Sequence, residues 1–146
     1  MTEATSRIWR PEVTLEKLRE RSQDTAMTHL GIELTELGDD FLSATMTVDA
    51  RTCQPMRLLH GGVSVVLAET LGSLGANSVI DTERYVCVGQ EINANHLRPV
   101  PFGRKVIGTT RPFHIGACTH VWGIEILDDR NQLVCVSRIT MAVINR

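Results

Sequence analysis

Glu69 is the one charged side chain between Gly61 and Ile80, a run otherwise made of glycine, small polar and aliphatic residues that follows directly on His60. A carboxylate in apolar surroundings must find hydrogen-bond partners, be neutralised by a raised pKa, or serve chemistry. Ionised, it can attack a carbonyl carbon or activate water to do so. The complementary half of such chemistry lies upstream. If a helix starts near His60, the amides of Gly61 and Gly62 sit at its positive end, where they can bind a developing oxyanion. Glycine there lets a ligand approach the backbone closely. Ser73 lies at i+4 from Glu69, where its hydroxyl can reach the carboxylate or the attacking water. Along one helix, however, Glu69 stands on the order of 12 Å from the Gly61 amide, too far for both to act on one carbonyl. Each residue has a plainer alternative. A helical Glu usually reaches solvent, His60 can cap the helix, Gln54 can serve only its own loop, and Ser73 can bond the carbonyl one turn back.

The elements that must hold these groups follow from pattern. Thr14 can cap a short helix through about Ser22, with Leu15 and Leu18 on one face and Glu16 in the first turn. From Ile32 the period changes to two, Gly38-Asp39-Asp40 turns the chain, and Leu42 to Val48 alternates apolar with hydroxyl residues, which predicts an antiparallel hairpin. Asp49 to Pro55 reads as a polar loop and Val63 to about Asn77 as a buried helix. Strand runs follow at Tyr85 to Leu97, Lys105 to Arg111, Thr119 to Leu127 and Leu133 to Ile144, read as a meander whose last turn is Asp128 to Gln132. Together they predict an α+β domain over residues 1–146, a curved antiparallel sheet wrapped around one long central helix.

A net charge of -2 supplies no field for polyanions, and aromatic residues at 4% leave few rings for base stacking, so no nucleic-acid partner is expected. Met1 to Arg10 carries Glu3, Arg7 and Arg10 without an apolar core, and the Gly61 to Ile80 stretch is too polar for a good span. No membrane association and a cytoplasmic location are expected. Cys53, Cys87, Cys118 and Cys135 form no Cys-x-x-Cys pair and no histidines are paired at ligand spacing, so no metal site is expected.

Three segments carry a likeness to a known family: Asp49-x-Arg51-Thr52-x-Gln54-Pro55-x-x-Leu58-Leu59-His60-Gly61-Gly62, Ala68-Glu69-Thr70-Leu71-Gly72-Ser73, and Glu91-Ile92-Asn93-Ala94-Asn95-His96. The chain resembles the hotdog-fold acyl-CoA thioesterases from about Ile8 to Ile144. Its likeness is to the bacterial branch that contains 1,4-dihydroxy-2-naphthoyl-CoA thioesterase and the enterobactin proofreading thioesterase. The resemblance implies a homo-oligomer, a dimer with shared active sites that pairs again into a homotetramer. It implies that the Gly61 amide of one subunit polarises the thioester carbonyl while Glu69 of the other attacks it or activates water. Gln54 would help hold the carbonyl oxygen and His60 would orient the loop and contact substrate. Substrate contacts are implied for Met56, Leu59, Gly62, His96, Arg98 and Gly116, the last in a loop near the CoA nucleotide. The substrate would be an acyl-CoA or an acylated carrier protein, with aromatic or bulky acyl groups preferred. No cofactor is implied, because coenzyme A is part of the substrate.

One departure touches the acyl group: Met56-Arg57 stands where the family usually has Phe-Gly. Two other readings of the same residues are a hotdog hydratase or dehydratase and a non-catalytic acyl-CoA binding module. The nine-residue spacing of His60 and Glu69 disfavours the first, and the presence of both Gln54 and Glu69 disfavours the second.

Overall fold

The computed structural model describes residues 6–146, and Met1 to Thr5, including Glu3 of the N-terminal segment, lie outside the described residues. Helix α1, Leu15–Arg21, begins where expected: the Thr14 hydroxyl accepts from the Lys17 amide, and Leu18 is buried. A second short helix, α2 (Ala26–Leu30), was not expected. It is capped at both ends, by reciprocal bonds between Thr25 and Thr28 and by Gly31 in the left-handed conformation. Five residues offer no hydrophobic period to read, and Thr28 replaces the Glu or Gln of the usual capping signature.

The predicted hairpin forms from β1 (Glu33–Leu37) and β2 (Leu42–Thr47), with Leu42, Ala44 and Met46 buried. After the loop, α3 runs Gly61–Ser78, two residues earlier than the first expected apolar position because His60 caps it. The remaining strands are β3 (Tyr85–His96), β4 (Lys105–Ile115), β5 (Thr119–Asp128) and β6 (Leu133–Asn145). The six strands form one antiparallel sheet in the order β1-β2-β4-β5-β6-β3. Only β4, β5 and β6 meander. β3 leaves that sequence and pairs with β6 at the far edge, because the chain crosses from His96 to Lys105 under the start of α3. There Leu59 donates to the Val100 carbonyl and Phe102 to the Arg57 carbonyl.

The sheet wraps α3. Leu67, Ala68, Leu71 and Ala76 are wholly buried against Trp122, Ile124, Ile126, Ile139 and Met141. Two helical glycines bring helix and sheet together: a Cβ on Gly72 would fall 2.4 Å from Ile139 Cγ2, and one on Gly75 would fall 2.9 Å from the Trp122 ring. Glycine inside a helix weakens it by roughly 0.5–1 kcal/mol relative to alanine, so the close packing is what the sequence gains in exchange. Trp9 stacks on Trp122 at 6.0 Å and donates its indole N–H to the Gly38 carbonyl, which fixes the N-terminal segment across the core. β3 presents twelve residues at the sheet margin and, among the described residues, has a strand on one side only.

Candidate active site

The loop before α3 is built on Asp49 and Thr52. The Thr52 hydroxyl donates to the Thr47 carbonyl and accepts from the Asp49 amide, and Arg51 closes an ion pair of 2.6 Å on Asp49. This frame presents Gln54, whose amide donates to the Leu58 carbonyl and whose side-chain oxygen accepts from the Met56 amide. The side-chain oxygen is thereby spent locally, and the Gln54 NH₂ group remains available to donate. Arg57 adopts φ 63°, a conformation natural to glycine, and its guanidinium lies 3.7 Å over the Phe102 ring. The stacking explains how a bulky cation occupies this position. Met56 points into solvent at 77% exposure, so it forms no fixed wall in the isolated chain.

At the start of α3 the four leading amides separate into used and unused. Gly62 donates to His60 Nδ1 at 2.9 Å, and Val63 and Ser64 donate to the His60 carbonyl. Among the described residues the Gly61 amide has no acceptor. The expectation of two free glycine amides is therefore corrected to one. His60 caps the helix, and the same bond leaves its Nε2 as the N–H side of the neutral ring. His96, from the end of β3, brings Nε2 to 3.0 Å from where a Gly61 Cβ would stand, so a side chain at this position would press on the His96 ring.

Gln54, Leu59, His96 and Arg98 line one cleft of about 250 Å³ together with Leu58, Ser64 and Val134. Arg98 is already engaged, donating from Nη1 to the Leu133 carbonyl at 2.8 Å, which ties the β3 end to β6. A larger groove between α2 and β1 contains none of the expected residues.

Glu69 belongs to a different place. Half-buried on α3, its carboxylate lies against β3 at Gly89, where a Cβ would stand 2.6 Å from Oε1. Among the described residues it has no hydrogen bond and no ion pair, and burial pushes its carboxyl above the ordinary glutamic acid value. Ser73 does not turn to it: no bond joins the two side chains, and the Ser73 carbonyl accepts from Asn77. Asn77 was missed from the sequence. Its side-chain amide accepts from the Cys87 N–H and donates to the Cys87 carbonyl, at 2.9 and 3.0 Å, clamping β3 onto α3 two residues before Gly89. Gly116 is also corrected. The stretch expected to be a loop is strand β4 as far as Ile115, its Pro112 accommodated at a bulge, and the Gly116 amide is consumed by the Thr119 carbonyl.

Among the described residues the chain thus carries a free backbone amide at one end of α3 and an unpaired carboxylate two turns away. The sequence profile of the Thioesterase superfamily matches residues 56–135. The chain belongs to that superfamily. It is 47% identical over 137 residues to the 1,4-dihydroxy-2-naphthoyl-CoA hydrolase of Escherichia coli, covering 94% of this chain and 99% of that one. To the proofreading thioesterase of Cronobacter turicensis it is 48% identical over 136 residues, covering 93% and 98%. Among solved structures, a variant of a Pseudomonas aeruginosa thioesterase superposes with a TM-score of 0.92 at 43% identity, covering 95% of this chain and 99% of that one. The fold is the hotdog expected from the sequence motifs, and the protein is a thioester hydrolase. No helix among the described residues is long and apolar enough to cross a membrane.

Proposed function

We propose that this thioesterase hydrolyses acyl-CoA thioesters with aromatic or bulky acyl groups, in sites that each combine two copies of the chain. The observation that carries the reading is the separation of the free Gly61 amide from the unpaired Glu69 carboxylate, on the order of 12 Å along one helix. The open edge of β3 supplies the means of joining them, since an unpaired strand edge is a template for a second strand. Along β3, Gly89 marks Glu69 and His96 marks Gly61. Opposite β6 these two residues face Met141 and Cys135, equidistant from Arg138, which faces Asn93, once the bulge after Gly89 is counted as one step. An antiparallel pair of β3 strands with its two-fold axis at Asn93 therefore sets Gly89 opposite the partner's His96. Glu69 then stands beside the partner's Gly61. Asn93→Cys, in a Cys118→Ser background, is expected to crosslink across the axis under mild oxidant, while Lys105→Cys does not. Equal crosslinking at both positions would sink this register.

In such a site the thioester oxygen receives the Gly61 amide and the Gln54 NH₂, which hold the charge that develops as the carbonyl carbon is attacked. Glu69 takes a proton from water as it attacks, or attacks directly to give an anhydride that water then opens. Both need the ionised carboxylate. In the first route collapse of the oxyanion expels the CoA thiolate, which takes the proton held by Glu69, and leaves the free acid. In the second it expels the thiolate and leaves the anhydride, whose hydrolysis gives the free acid, restores the Glu69 carboxylate and supplies the thiol's proton. His60 Nε2–H and His96 flank the same position as substrate contacts, and no metal or redox group enters the step. The half-buried Ile92 and Ala94, on the inner face of β3 between the two centres, give the acyl group an apolar wall. The Escherichia coli relative is named for a naphthoyl-CoA ester, which supports an aromatic acyl group.

Thiol release across a panel of aromatic and aliphatic acyl-CoA esters, with an acylated carrier protein beside them, tests the substrate class. Benzoyl-CoA is expected to exceed short aliphatic esters in kcat/KM. Preference for every short aliphatic ester over every aromatic one would refute the assignment, and loss of enoyl absorbance without thiol release would indicate a hydratase. The exposed Phe113 and Val136 on the outer sheet face support further pairing of dimers into tetramers. Four unpaired cysteines suit a reducing, cytoplasmic setting.

A further inference from the structure

Gly89 lies in β3 at the bulge, opposite Met141, and its backbone is not in the left-handed region that favours glycine. Its lack of a side chain needs another reason. A Cβ at this position would lie 2.6 Å from Glu69 Oε1 and 3.6 Å from Glu69 Cδ, so the space a side chain would fill holds the carboxylate. Neither neighbour can yield equally. The strand is held two residues earlier by both Asn77 bonds to Cys87, whereas the carboxylate ends a flexible side chain and has no partner among the described residues. A methyl group at position 89 would therefore move the carboxylate rather than the strand.

We propose that Gly89 is a positioning residue, whose missing side chain sets the place from which the Glu69 carboxylate meets the thioester carbon. This rests on the function proposed above. It predicts a separation that a merely structural glycine does not give. Displacing a flexible side-chain end is cheap in stability, yet misplacing a reacting group by about 1 Å can lower the rate by about 100-fold.

The test is steady-state thiol release from benzoyl-CoA by Gly89→Ala, Glu69→Gln, Glu69→Asp and the double variant Gly89→Ala with Glu69→Asp, with thermal melts of each. Gly89→Ala is expected to lower kcat by about 10- to 100-fold, with KM within about twofold and an unchanged Tm. In the Glu69→Asp background, where the shorter side chain vacates the space, the same substitution is expected to lower kcat less than about threefold. Equal losses in both backgrounds, or a fall in kcat matched by a fall in Tm, would overturn the proposal. Near-normal turnover by Gly89→Ala while Glu69→Gln is inert overturns this inference alone. Near-normal turnover by Glu69→Gln overturns the function it rests on, and this inference with it.

Discussion

Replacing Glu69 by glutamine is expected to lower kcat by about 10²- to 10⁴-fold, the range for loss of a positioned general base, while KM for the acyl-CoA changes little. Glutamine keeps the shape and cannot take a proton or form an anhydride, so the loss reports chemistry rather than packing. Two further readouts come from the same side chain. Because burial raises the Glu69 carboxyl above the ordinary glutamic acid value, the acid limb of kcat/KM in the native enzyme is expected to be shifted upward in the same direction. The stability effect has the opposite sign to the kinetic one. A carboxyl raised in the folded state destabilises the fold when ionised, fully above its folded pKa and not at all below its unfolded one. Glu69→Gln is therefore expected to raise Tm at neutral pH, and the gain is expected to vanish as pH falls through the ordinary carboxylate range. Full turnover by this variant in a thiol-release assay, or a lower Tm at neutral pH, would contradict the assignment.

Removing the amide proposed to hold the oxyanion is expected to be nearly as damaging. Gly61 is the first helical residue, and His60 before it has φ -70° and ψ 126°, an extended conformation that a following proline tolerates. Gly61→Pro thus deletes one N–H with the helix intact, and kcat is expected to fall by about 10²- to 10³-fold. Gly61→Ala is the control, since it keeps the amide and brings the same Cβ to within 3.0 Å of His96 Nε2. Rates that fall alike in both variants would assign the effect to crowding instead. Mixing then tests the sharing of sites. Subunits carrying Glu69→Gln and subunits carrying Gly61→Pro, allowed to exchange, form hybrids in which one site holds both defects and the other neither. Activity should return to about one quarter of the native level for free two-fold pairing. No recovery in mixtures shown to contain hybrids would exclude shared sites.

Features set by nearby residues were readable in the sequence. Thr14 announced α1, the apolar and hydroxyl alternation of Leu42 to Val48 announced β2, and the isolation of Glu69 singled out the carboxylate, while leaving open whether it has a partner. What depended on long-range placement was not. Nothing within Tyr85 to His96 says that β3 joins β6 at the margin, because a strand's partner is chosen by the whole sheet. Gly89 and Asn77 acquire meaning only once α3 lies against β3, although a glycine interrupting the Val86 to Ile92 run was the available signal. The roles of the amides were undecided for a different reason. His60 as cap and Gly62 as oxyanion donor are both sound local readings, and one hydrogen bond of 2.9 Å chooses between them.

The tight seat of α3 also constrains how this scaffold can change. With Gly72 and Gly75 leaving no room between helix and sheet, a larger residue at either position displaces Ile139 or Trp122 rather than widening an acyl channel. The central helix is thus a fixed axle. On the function proposed above, new acyl preferences would be written on the rim: in the 54–60 loop, where Met56 already stands unconstrained, in the 97–104 crossing and on the inner face of β3.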